Sequence, residues 1–242
     1  MSDITLLAEN GVAAPAKSES FDLWSQIHSQ RTSNGAGHLW PSESLIRLFK
    51  GRFIPGLNRQ YQGKSVLDVG CGDGNNLLLY ASLGLEIFAT EISDDVCRLV
   101  SERMNSIGYS ADIRVGENTS LPFANDSFDF LVSWNTIHYE PTADQMSEAI
   151  REYARVLKPG GRFFISTTGP DHLILEGARS IGPNQYQIAI DDFRRGQTFF
   201  YFDDASDILY YFGPHFRDVS IGRTRDELFS KVCDFWLITG VK

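Results

Sequence analysis

The stretch "SVLDVGCGDGNNLLLY", Ser65 to Tyr80, narrows most what this chain can become. An apolar run carrying one acid, Asp68, breaks into alternating glycines at 70, 72 and 74, and a helical pattern follows. A strand, a turn bared of side chains and a helix form the opening unit of an α/β fold, with the turn aimed at a ligand. The rhythm repeats. "EIFATE", "ADIRVG", "FDFLVSW" and "RFFIST" read as strands, and "NNLLLYASLG" as a helix closed by Gly84. "DDVCRLVSERMNSIG" reads as a helix capped by Ser93 and stopped at Gly108. Thr142 to Gln145 has the spacing of a capping box, before a helix expected to reach Lys158 and end at "KPGG". Strands alternating with helices predict a doubly wound, mostly parallel sheet.

Two segments stand outside this rhythm. Residues 20–60 hold the helical patterns "FDLWSQIHSQ" and "PSESLIRLFKGRF", the second with Pro41 where a helix can begin. Residues 170–212 are dense in aromatics, including the run "QTFFYFDDASDILYYFG", which either lids a substrate or covers a sheet edge. Beyond them, "FRDVSIGRT" and "DFWLITGV" predict an antiparallel hairpin at the sheet edge. Residues 1–19 lack periodicity and read as a flexible tail, leaving 20–242 as a single domain with 20–60 and 170–212 as lid and cap elements.

A net charge of −9 argues against a general affinity for nucleic acid or anionic membrane. The three cysteines, Cys71, Cys97 and Cys233, are far apart and odd in number, so neither a metal site nor a disulfide framework is expected. The N-terminus lacks the basic start and apolar core of a signal peptide, and no segment approaches the length of a membrane span. A cytoplasmic protein, monomer or homodimer, is expected.

The acid before the loop chooses the ligand. A carboxylate at Asp68 would repel a pyrophosphate but attract an ammonium and a sulfonium, and Asn75 replaces the third glycine of the dinucleotide fingerprint. "VLDVGCGDG" resembles the first motif of class I S-adenosylmethionine-dependent methyltransferases. "GENTSLPFANDSFDFLVS" and "RVLKPGGRFFIS" resemble later segments of the ubiquinone/menaquinone-type enzymes, in the right order. The resemblance covers roughly Lys64 to Thr168. It implies a Rossmann-like, seven-stranded sheet with an antiparallel edge strand, and S-adenosyl-L-methionine as cofactor. It also implies that Gly70, Cys71 and Gly72 approach the methionine part while Asp68 holds its amino group. Glu91 and Ile92 would meet the ribose, Glu117 and Asn118 the adenine, and Asn135 the methionine end.

Methyl transfer needs alignment and, for a hydroxyl acceptor, a general base. His138 in "SWNTIHYE", with an ordinary imidazole pKa, and then His38 are the candidate bases. Trp40, Tyr139, His172 and Arg195 are candidate substrate contacts, and Arg194 a candidate anion partner. The chain lacks the D/N-P-P-Y/F/W tetrapeptide of many nucleic-acid and glutamine amide enzymes and the clustered acids of a metal-dependent catechol site. The expected acceptor is a hydroxyl or amine of a small molecule, with a sugar or glycan precursor slightly favoured. A quinone or other apolar ring, or a non-catalytic regulator that binds the cofactor, are the alternatives.

Overall fold

The structure, a computed structural model, describes residues 40–242. The tail, the first helical pattern and His38 lie outside the described residues.

One seven-stranded sheet organises the chain, in the order β3-β2-β1-β4-β5-β10-β9. Its parallel members are β1 (Ser65–Val69), β2 (Glu86–Glu91), β3 (Asp112–Val115), β4 (Phe128–Trp134) and β5 (Leu157–Thr168). β10 (Lys231–Val241) runs antiparallel to β5, and β9 (Arg217–Leu228) pairs outside it. The antiparallel strand therefore stands one place in from the edge. The strand order turns back between β1 and β4, the switch point where open α/β sheets bind ligands.

Two apolar layers clothe the sheet. On one face α1 (Glu43–Lys50), α2 (Leu77–Ser82) and α3 (Asp94–Ser106) pack in a cluster with Val66, Phe130, Val132 and Phe164. On the other, α4 (Ala143–Val156) and α5 (Ala205–Phe212) pack with Leu67, Leu131, Phe163 and Ile165. Alternate residues of β4 and β5 thus serve opposite faces, as a strand's two-residue period requires. Leu45 and Phe49 of α1 are fully buried, Phe49 lying 4.7 Å from the Phe164 ring. Phe200, Phe202 and Phe212 of the aromatic run likewise join the sheet's core, so this part of the run covers the sheet rather than facing a ligand.

Local readings need three corrections. Ser93 stands at the first cap of α3, but its hydroxyl makes no capping bond there. α4 ends at Val156 rather than Lys158, because "KPGG" is drawn into β5: Leu157 pairs with Phe128, and Gly160 donates to the Lys242 carbonyl at 3.0 Å. The segment after Gly169 contains a small antiparallel sheet of β6 (Arg179–Gly182), β7 (Gln185–Gln187) and β8 (Thr198–Phe200), too short and too polar to announce itself. The capping box holds in altered form. The Thr142 oxygen accepts from the Gln145 N–H at 3.3 Å, while its hydroxyl donates to Gln145 Oε1 at 2.9 Å.

Candidate active site

The glycine loop leaves β1 with left-handed backbone at each of its three glycines, φ +68°, +55° and +78° at 70, 72 and 74. At Gly70 a side chain would also collide with Thr136, whose hydroxyl donates to the Gly70 carbonyl at 3.4 Å. At Gly74 a Cβ would press on Val100 at 2.7 Å. Bare backbone is therefore demanded by turn geometry and packing as well as by a ligand.

Glu91, at the end of β2, closes this loop from the neighbouring strand. Its Oε1 accepts the Gly72 N–H and its Oε2 the Ile92 N–H, both at 2.8 Å. Each oxygen keeps a further lone pair, the arrangement needed to take a pair of hydroxyls. Cys71 is buried, its N–H on the Thr90 carbonyl at 3.0 Å. Burial, with Glu91 and Asp68 nearby, pushes its thiol well up, so it is inert.

Asp68 is buried at 1 % exposure. Its Oδ2 accepts the Tyr80 hydroxyl at 2.9 Å, and its Oδ1 has no hydrogen-bond partner. Burial outweighs the Tyr80 bond, and Glu91 adds repulsion, so its pKa rises to about 7. A buried acid with an idle oxygen at the head of the glycine loop fits an ammonium partner. The residues present fit S-adenosylmethionine.

The other expected cofactor residues behave less uniformly. Glu117 pairs with Ser120 across a tight turn after β3. Asn118 is buried and turned inward, its amide donating to Glu140 at 3.0 Å and its oxygen accepting from Tyr153 at 2.6 Å. That network commits its side chain to the protein. Asn135 adopts φ +60°, a conformation asparagine tolerates, and its side chain accepts from Ser166 at 2.7 Å.

His138 does not have the ordinary imidazole pKa expected of it. Its ring is buried against Tyr139 and Phe199, with Thr167 Oγ1 at 3.4 Å. Burial first, then the nearby His172 and Arg194, lower its pKa to about 3. His172 is lowered to about 4 mainly by burial; its Nδ1 accepts from Ile174, and its ring meets Phe235 at 4.6 Å. Tyr139 bonds to Arg194, which also pairs with Asp192, so that guanidinium is already neutralised. Arg195 pairs with Asp191 at the surface, and Trp40 is exposed.

A cleft of about 190 Å³ opens beside Asn135, lined among others by Ser42, Arg47, Trp134, Ser166, Asp226 and Phe235. Ser166 and Thr167 are adjacent on β5 and so point to opposite faces of the sheet. The cleft therefore lies on the α1 face, whereas His138 bonds to the residue pointing the other way. The start of α1 is tied to the loop side by the Ser42 N–H, which donates to Asn76 at 3.0 Å. None of the expected substrate residues lines this cleft. Its walls come from five separate stretches of chain, and no local pattern announces them.

Residues 67–165 match the family described as "Methyltransferase domain". Over 130 residues the chain is 33% identical to the biotin biosynthesis bifunctional protein BioHC of Cellvibrio japonicus, a match spanning 54% of this chain and 25% of that protein. The chain thus covers about a quarter of that relative's length. Among solved structures it is similar to a SAM-dependent methyltransferase of Methanosarcina mazei, with TM-score 0.64 at 22% identity, over 84% of this chain and 98% of that one. It is also similar to the 1,6-didemethyltoxoflavin-N1-methyltransferase of Burkholderia thailandensis with bound 1,6-didemethyltoxoflavin and S-adenosylhomocysteine. There the TM-score is 0.62 at 15% identity, over 97% and 93% of the two chains. The fold is theirs, and among the described residues no helix is long and apolar enough to cross a membrane. Residues 67–165 of this chain thus match a methyltransferase domain, and the sheet around them has the fold of the S-adenosylmethionine-dependent methyltransferases.

Proposed function

We propose that the chain moves a methyl group from S-adenosylmethionine to a hydroxyl or amine of a small molecule, a sugar or glycan precursor before a quinone. The observation that carries this is Asp68: a buried acid with one oxygen unused, at the head of a glycine loop and pushed up to about 7. One of its oxygens serves the buried Tyr80 hydroxyl, and an ammonium beside the other would restore its charge.

When bound, the cofactor supplies a methyl group on a sulfonium, which leaves the chain to bind, orient and exclude water. Asp68 holds the amino group, and Gly70 and Gly72 let the backbone approach. Glu91, oriented by its two N–H bonds, takes the ribose hydroxyls. Glu117, in the turn after β3, would meet the adenine end, and Asn135, fixed by Ser166, faces the cleft where an acceptor would enter. His138 fits the role of a neutral wall, and residues 170–212 that of a cap flanking the strand ends. The polar lining of the cleft favours a hydroxylated acceptor over an apolar ring. The acidic balance supports a small molecule over nucleic acid, handled in the cytoplasm by a monomer or homodimer.

Isothermal titration with S-adenosylhomocysteine tests the reading. Binding is expected, and Glu91→Ala is expected to weaken it by about 1–3 kcal/mol, the cost of leaving hydrogen-bond partners unmade. Equal affinity for NADH, or no change with Glu91→Ala, defeats the assignment.

A further inference from the structure

The hairpin of β9 and β10 carries two faces with different chemistry. Phe235 pairs with Thr224 and Cys233 with Asp226, so the two-residue period puts all four on one face. Three of them, Thr224, Asp226 and Phe235, line the cleft. The residues between them, Arg223, Arg225 and Asp234, form ion pairs with each other and with Asp171 on the opposite face. The clamp thus holds the hairpin upright past the end of β5, where Thr168 meets Phe235.

Charge across the cleft is unbalanced. On the α1 side Glu43 and Arg47 hold each other at 2.5 Å. On the hairpin side Asp226 is exposed at the rim of the cleft and makes no hydrogen bond or ion pair among the described residues. Between them stand two aromatic walls, Trp134 and Phe235, and the oxygens of Ser42, Ser44, Ser166 and Thr224. The volume, about 190 Å³, is below the roughly 300–1,000 Å³ of drug-sized pockets, which suits a single ring.

The geometry points to this cleft as the acceptor site, taking a compact hydroxylated ring that bears a protonated amine, with the ammonium against Asp226. This deepens the reading above and rests on it. An ammonium pairs with this solvent-facing carboxylate and is attracted to the aromatic faces as well. The ring hydroxyls meet the serine and threonine oxygens. An anionic ring, by contrast, meets Asp226 with like charge.

The test uses protein saturated with S-adenosylhomocysteine and three probes on one ring: glucosamine, glucose and glucuronate, titrated at about pH 6, where an amine is protonated. Glucosamine is expected to bind about two- to fivefold more tightly than glucose, as one ion pair at an exposed carboxylate allows, and glucuronate most weakly. Asp226→Asn is expected to erase the preference for glucosamine while leaving S-adenosylhomocysteine affinity unchanged. The proposal is overturned if glucose binds as well as glucosamine, if glucosamine fails to bind, or if Asp226→Asn keeps the preference. Any of these with intact S-adenosylhomocysteine binding leaves the methyltransferase reading standing. Loss of S-adenosylhomocysteine binding in the wild type brings down both.

Discussion

Two buried aspartates stand three places apart in this sheet, Asp68 on the central β1 and Asp234 on β10, at 1 % and 0 % exposure. Asp234 is satisfied from every side. Arg223 donates to it at 2.6 and 2.8 Å, and the Asp171 N–H at 2.8 Å. Those bonds overcome its desolvation and hold its carboxyl below the usual range. Asp68 has Tyr80 alone, and its carboxyl is pushed up. Equal burial with opposite consequences separates a structural clamp from the acid we propose holds the cofactor. An acid that the fold needs brings its partners with it, and an acid that a ligand needs waits for one.

The largest effect is expected at the clamp. Asp234→Ala leaves Arg223 and the Asp171 N–H without their acceptor. Breaking a buried pair costs about 3–5 kcal/mol, which we discount to about 2–3 because Arg223 is 36% exposed and can return to water. Chemical denaturation at neutral pH measures the loss, and S-adenosylhomocysteine affinity is expected to stay within about twofold of wild type. A matching collapse of that affinity would mean that the two aspartates belong to one unit.

Asp68 is expected to do the reverse. Its folded pKa is raised, so both states are protonated below about pH 4. Between about pH 4 and 7 the unfolded chain ionises while the folded one does not, and stability falls as pH rises through that window. Above about pH 7 the penalty is complete. Asp68→Asn therefore stabilises the cofactor-free protein at pH 8 by about 1–3 kcal/mol and changes it little at pH 4, while weakening S-adenosylhomocysteine binding at pH 8. Thermal melts at both pH values give the answer. A destabilised variant at pH 8 would make Asp68 a structural acid after all.

The smallest effect concerns His138. With a pKa near 3 it stays neutral across the working range, so the single-turnover methyl transfer rate should show no inflection near pH 6.5 that disappears in His138→Gln. Such an inflection, lost on substitution, would restore His138 as the base.

Both the seven strands and the cofactor loop are legible in the chain, because each rests on local order. The glycines at 70, 72 and 74 must sit in one turn, and Glu91 must fall at the end of the next strand. Less local features escape. Nothing near Asn118 in the sequence reveals that Tyr153 and Glu140 claim its side chain. His138 sits where an acceptor edge was expected, and only the Thr167 contact shows that it turns to the face opposite Ser166.

By itself the sequence determined the alternation of strands and helices, the glycine turn and the acid that precedes it. Periodicity and backbone freedom act over a few residues, and so can be read from them. Only the tertiary structure decided which of two buried aspartates keeps an oxygen without a partner, and which residues meet around the cleft beside Asn135. Partnership and desolvation are set by neighbours in space: Asp234 finds Asp171 and Arg223 from distant positions, while Asp226 is left facing open space across from α1.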